Sequence, residues 1–169
     1  ELDLAQREAD FAIRVRAPVQ ADLIQRKLFT VHYHVYAVRE YLTAHGEPHC
    51  LEDLAEHTIV GYGETAAPEI REVNWLIEQT RRLMRPGGKG RTIRINNVTG
   101  ILGAATSGLG VATLPDYVAA AHPQLIRLMP EIPCPCFDVH LVYADALRQS
   151  KRVAAFRDFL VKEAKEWRY

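Results

Sequence analysis

No apolar run in this 169-residue chain approaches the roughly 20 residues a membrane-spanning helix needs, and its longest apolar stretches are broken by glycine or proline. An integral helical membrane protein is thereby excluded. Charge of one sign is also missing, with 21 Lys and Arg set against 21 Asp and Glu. A chain that grips nucleic acid by itself carries a basic excess clustered on one face. The densest basic group, Arg81, Arg82, Arg85, Lys89 and Arg91, spans a Pro86-Gly87-Gly88 turn and reads as a solvated loop rather than a phosphate patch. Cysteine is scarce. Cys50, Cys134 and Cys136 cannot all pair within one chain, which favours a reducing, cytoplasmic compartment. At Glu1 the chain opens on a polar helical pattern, ELDLAQREAD, that reads like the middle of a protein rather than like a signal peptide. Internal repeats and low-complexity segments are absent too.

What remains is an ordinary globular composition, 48% hydrophobic and 25% charged, long enough for one large domain or two small lobes. Helical spacing of Leu2, Leu4, Ala5 and Ala9 leads into a strand at Phe11–Val15. Strict alternation predicts a second strand at Phe29–Ala37, with His32 and His34 on one of its faces. Short helices follow at Arg39–Ala44, ended by Gly46, and at Leu51–His57. Further strands are expected at Thr58–Tyr62, Val73–Leu76, Thr92–Ile95, Val111–Leu114, Leu125–Leu128 and Val139–Tyr143. Helices are expected at Val98–Ser107, at Asp116–Ala121 and at Lys151–Trp167, the last carrying Val153, Phe156, Leu160, Ala164 and Trp167 on one stripe. Alternating strands and helices predict an α/β fold with largely parallel pairing.

The segment Thr92–Tyr117 carries most of the functional information. Val98, Ile101, Leu102 and Ala105 share one helical stripe, Asn97 is placed to cap the helix, and Gly108 stands where a left-handed cap is common. In open α/β sheets ligands sit beyond the carboxyl ends of the strands, where helix N-termini point. Free N–H groups and a partial positive charge there suit a carboxylate or phosphate. Asn97, Val98 and Thr99 form that rim. On its own chemistry the segment slightly favours a plain capped helix over a ligand site. Its glycines match no dinucleotide register, and Gly87–Thr92 lacks the strand and helix of a phosphate-binding loop.

The run Asn97…Gly108-Leu109-Gly110-Val111-Ala112-Thr113-Leu114-Pro115 resembles the effector-binding domain of LysR-type transcriptional regulators. Other stretches agree in order: Asp10–Val15, Tyr41-Leu42 with His45-Gly46, Pro48, Asp53-Leu54 and His57, Leu125–Leu128, and Phe156–Leu160. The resemblance implies an α/β fold of two Rossmann-like lobes, similar to type 2 periplasmic binding proteins. By that likeness a first, incomplete lobe takes residues 1–22 and 131–169, and a second lobe takes 23–130. It implies an effector cleft lined by Arg16, Ala17, Tyr62, Gly63, Asn97, Val98 and Thr99. It also implies that the family's first strand, helix and strand, and its winged helix-turn-helix, are not in this chain. The expected function is sensing of a small, anionic metabolite between the lobes, with DNA contacted only through the N-terminal domain of a homodimeric or homotetrameric regulator. Val38-Arg39 and Leu51 depart from the family pattern, losing a Ser-Pro helix start and a Pro before Asp53-Leu54's turn.

Competing chemistries find less support. Cys134-Pro135-Cys136 with His140 falls short of the four ligands of a zinc site, and a stiff hinge between lobes is the simpler reading over a metal or redox site. Two histidines on one strand face lack a third ligand. No Ser/His/Asp order and no paired carboxylates stand at strand ends, so no catalytic residues, cofactor or metal are assigned. The alternatives are an enzyme or a transporter solute-binding protein on a similar scaffold.

Overall fold

The computed structural model describes residues 9–15, 22–63, 72–83 and 88–167. In chain order they form β1 (Ala12–Arg14), β2 (Leu23–Val38), α1 (Arg39–His45), a 3-10 turn (Asp53–Glu56), β3 (Thr58–Tyr62) and α2 (Trp75–Leu83). Then come β4 (Arg91–Ile95), α3 (Val98–Thr106), β5 (Val111–Pro115), α4 (Asp116–Ala119), β6 (Leu125–Leu128) and β7 (Cys136–Ala144). A 3-10 turn (Asp145–Leu147) and α5 (Lys151–Glu166) complete the order. The chain divides into two compact units, one reaching Val31 and resuming at Cys136, the other His32–Pro135.

In the His32–Pro135 unit β3 lies between β5 and β4 and runs parallel to both, with Thr58 opposite Arg91 and Ile59 opposite Val111. Parallel neighbours need a crossover segment rather than a tight turn. α2 supplies it between β3 and β4, and α3 carries the chain from β4 past β3 to β5. This corrects the strand expected at Val73–Leu76. Leu76, Ile77 and Thr80 are the buried positions of α2, at helical spacing, while Glu78, Arg81 and Arg82 face outward. A strand there would have left the parallel β3–β4 pair without a connection.

The pairing is also less parallel than expected. β2 runs antiparallel to β5 from Tyr33–Pro115 to Tyr36–Ala112, and antiparallel to β6 from Val35–Leu128 to Val38–Leu125. Alternation marks a strand without giving its direction, and direction here follows from which elements the connections span. All five residues of β5 are buried, as befits a strand covered on both faces. Val35, Leu54, Ile59, Leu76, Val111 and Leu128 fill the core on one face. α3 buries Ile101, Ala104 and Ala105.

Two glycines make this packing possible. Gly108 ends α3 at φ +71°, the left-handed cap that its position in the sequence predicts. A Cβ on Gly110 would stand 2.4 Å from the Thr58 carbonyl oxygen, so β5 approaches β3 as closely as it does only because that atom is missing.

In the other unit β7 lies between β1 and β2 in strand order, and β1 pairs antiparallel with it from Ala12–Val142 to Arg14–His140. Leu141, Tyr143 and Val153 form its buried centre, with Phe11, Leu147 and Leu160 packed around them. Phe11 meets the Tyr143 ring at 6.1 Å and the Phe156 ring at 4.8 Å between centroids. Ser150 caps α5, its hydroxyl accepting from the Val153 N–H at 3.5 Å. The stripe expected on this helix is only partly core: Val153 is buried and Leu160 and Ala164 are half-buried. Phe156, Phe159 and Trp167 are exposed, although Phe156 keeps Phe11 as a neighbour and Trp167 keeps Phe29 at 4.7 Å.

Candidate functional site at a sheet's carboxyl edge

Because β3, β4 and β5 are parallel, Tyr62, Ile95 and Pro115 all end at one edge of the His32–Pro135 unit. The chain leaves β4 through Asn96 and Asn97 directly into α3. Asn97 takes an extended conformation, and its side-chain oxygen accepts from the Gly100 N–H at 2.7 Å. The helical ladder starts with the Ile101 N–H on the Asn97 carbonyl at 3.2 Å. The N–H groups of Val98 and Thr99 stand outside both bonds, at the positive end of the helix. Thr99 and Asn97 are exposed and Val98 is half-buried.

Tyr62 is held rigidly at the neighbouring strand end. Its N–H donates to Asn74 Oδ1 at 2.8 Å, while its carbonyl accepts from Asn74 Nδ2 at 3.1 Å and from Arg94 Nη1 at 3.2 Å. Its side chain is buried, and burial with the nearby Tyr117 hydroxyl pushes its ionisation above the usual phenol range. Burial, Tyr62 and Tyr117 push Tyr33 in the same direction. Three phenols therefore gather at this edge. The Asn96 side chain lies so close to Gly63 that a Cβ there would stand 2.1 Å from Asn96 Oδ1. Of the residues expected to line a cleft, Tyr62, Gly63, Asn97, Val98 and Thr99 come together here. Arg16 and Ala17 lie outside the described residues.

Asn74, Arg94, Asn96, Tyr33 and Tyr117 were not singled out in the sequence. Asn74 sat inside the segment read as a strand, and without α2 nothing placed it beside Tyr62. The others belong to neighbouring strand ends whose order in the sheet the sequence does not disclose.

A second polar cluster lies on β2 and α4. Asp116 Oδ1 meets His34 Nδ1 at 2.6 Å and accepts from the Tyr36 hydroxyl at 3.0 Å. His34 is thus engaged by a carboxylate, whereas His32 is exposed. The three cysteines are free thiols. Burial pushes the Cys134 thiol up to about 11, away from the thiolate that redox and metal chemistry require. Among the described residues no group of three or more His, Cys, Asp or Glu is placed to hold a metal ion.

The LysR substrate binding domain family model matches residues 2–165. This chain belongs to that family. It is 27% identical over 146 residues to an HTH-type transcriptional regulator of Haemophilus influenzae, covering 85% of this chain and 49% of that protein. It is 28% identical over 166 residues to the HTH-type transcriptional regulator CrgA of Neisseria meningitidis serogroup C, covering 96% of this chain and 54% of CrgA. The LysR-type domain thus spans about half the length of the curated relatives it matches. The solved regulatory domain of CrgA superposes with a TM-score of 0.72 at 27% identity, covering 95% of this chain and 78% of that one. The α/β fold of the type 2 periplasmic-binding-protein class, expected from the resemblance, is therefore the fold of this LysR domain. The relatives are named as transcriptional regulators. No described helix is long and apolar enough to cross a membrane.

Proposed function

We propose that this LysR domain senses a small anionic metabolite, which binds at the sheet edge formed by Tyr62, Gly63, Asn97, Val98 and Thr99. The observation that carries this reading is the capped start of α3. Asn97 satisfies the Gly100 N–H and leaves the Val98 and Thr99 N–H groups outside that bond at a strand–helix junction, where Thr99 is exposed. That arrangement suits a carboxylate or phosphate. The paired bonds from Asn74 and the bond from Arg94 keep Tyr62 in place before any ligand arrives, which spares the binding step an ordering cost. Arg16 and Ala17 complete the proposed contact set, with Arg16 supplying opposite charge.

In the intact protein, a separate N-terminal domain contacts DNA, and the regulator works in the cytoplasm as a homodimer or homotetramer. A ligand shifts such an assembly only if its affinity differs between two conformations. The test is a thermal-shift screen against carboxylates, amino acids and phosphorylated metabolites, followed by Thr99→Val and Arg16→Ala. Both variants are expected to lose the ligand-induced rise in melting temperature while the unliganded midpoint moves by no more than a few degrees. Unchanged ligand response in both would put the site elsewhere.

A further inference from the structure

Away from that edge, the hydrogen bonds around Tyr41 have a direction dictated by the backbone. The Thr58 N–H donates to the Tyr41 hydroxyl oxygen at 3.0 Å. That bond uses the oxygen and leaves the hydroxyl hydrogen to be placed, and among the described residues the acceptor within reach of it is His57 Nδ1, 3.1 Å away. A phenol has a single hydrogen to give, and an imidazole nitrogen accepts it only while it carries no proton. Both side chains are nearly sealed from solvent, Tyr41 at 3% and His57 at 5% exposure. The neutral ring is built into this arrangement.

The surrounding charges act in the same direction. The His45 ring stacks on Tyr41 with centroids 4.3 Å apart and planes 16° from parallel, and its Nδ1 lies 3.1 Å from the Tyr41 carbonyl. Burial first, and His45 second, hold His57 below the ordinary histidine range, while Asp53 and Glu56 pull the other way without reversing the shift. Asp53 is occupied by the His49 and Cys50 N–H groups at 2.8 and 3.2 Å. Glu56 accepts the Lys89 N–H at 3.2 Å. From β4, the Arg91 N–H holds the His57 carbonyl at 3.2 Å. Neither carboxylate is hydrogen-bonded to the His57 ring.

We propose that Tyr41 and His57 form an acid-released latch that ties α1 to the start of β3. Proton uptake at His57 Nδ1 turns an acceptor into a donor aimed at an oxygen that already accepts from Thr58. The Tyr41 hydrogen is then left without its acceptor, and a positive charge sits in a buried site beside His45. Breaking the Tyr41–His57 bond and withdrawing α1, which carries both Tyr41 and His45, from the start of β3 relieves all of these at once. The Thr58 N–H loses its acceptor as this happens, so the opening is local and has a named reporter. Tyr41, His45 and His57 have no part in the proposed effector contacts, and the latch stands or falls independently of them.

The sign of the pH effect follows from linkage. A histidine whose folded value is depressed leaves the unfolded chain binding more protons between that value and about 6.5. The latch is fully stabilising above about 6.5 and is lost as the pH falls through the depressed value. The experiment follows the His57 ring resonances and the Thr58 amide exchange, corrected for its intrinsic rate, from pH 7.5 to 4.5 in the 169-residue chain. His57 is expected to titrate below the usual histidine range, with Thr58 protection collapsing over the same interval. In Tyr41→Phe the His57 titration should move up toward the ordinary value, because the neutral ring loses its donor. In His57→Gln, whose amide oxygen can still accept from Tyr41, the acid-induced fall in melting midpoint should shrink by roughly 2–4 °C. Thr58 protection that is indifferent to the His57 titration would overturn the latch. So would a Tyr41→Phe protein whose His57 titrates as in the parent. Should His57→Gln fail to fold, the coincidence of the two titrations in the unaltered chain decides.

Discussion

Gly110 and Gly103 show how differently one residue type can act within a few positions. A Cβ on Gly110 would stand 2.4 Å from the Thr58 carbonyl oxygen, a backbone atom that cannot swing aside. Gly110→Ala should therefore cost about 1–3 kcal/mol through overpacking, read as a lower denaturation midpoint with an unchanged slope. Gly103 lies inside α3, with nothing within 4 Å of the same imagined atom. There Gly103→Ala should stabilise by roughly 0.4–1 kcal/mol, chiefly by restricting the unfolded chain. Equal effects at the two positions would mean that the close β5–β3 approach does not constrain Gly110. Gly110 carries no mark of this in the sequence, because the atom it must avoid comes from β3, far earlier in the chain. Asn97 was legible for the opposite reason: a cap is a contact between near neighbours, and its side chain reaches Gly100 as the spacing implies.

At the scale of elements, α3 joins stability to the proposed site, since its first turn offers the Val98 and Thr99 N–H groups and its inner face buries Ile101 at 1% exposure. Ile101→Ala should cost about 2–5 kcal/mol in chemical denaturation. It should also weaken ligand binding, because a helix that no longer seats firmly cannot hold its N-terminus in place. Full ligand affinity together with that loss of stability would show that the first turn is held by the Asn97 cap alone. α2 was the element misread from sequence. Val73, Asn74, Trp75 and Leu76 have the composition of a strand, and the sequence after them runs into Pro86-Gly87-Gly88, residue types that read as a turn. What decides for a helix is the parallel β3–β4 pair, a non-local fact. The misreading hid Asn74, which joins the site only because α2 starts beside the end of β3.

For the whole molecule, the proposed sensing role predicts stabilisation set by mass action. A true effector at a hundredfold excess over its Kd should raise stability by about 2.7 kcal/mol, and tenfold more ligand should add about 1.4 kcal/mol. A melting temperature that saturates well short of this would indicate binding to the unfolded chain or no binding at all. Acid should lower the stability of the unliganded chain through His57, so effector measurements belong at pH 7 or above, where that linkage is silent. The sequence alone determined the strands at Thr58–Tyr62, Thr92–Ile95, Val111–Leu114 and Leu125–Leu128, the capped start of α3, the left-handed Gly108 and the resemblance to the LysR family. Each of these rests on local spacing or on motifs a few residues long. Only the tertiary structure decided the antiparallel course of β2, the helical α2, the clamp of Asn74 and Arg94 on Tyr62 and the Tyr41–His57 bond. Those depend on which distant segments lie side by side, and a period of two or of three and a half along the chain carries no record of its neighbours.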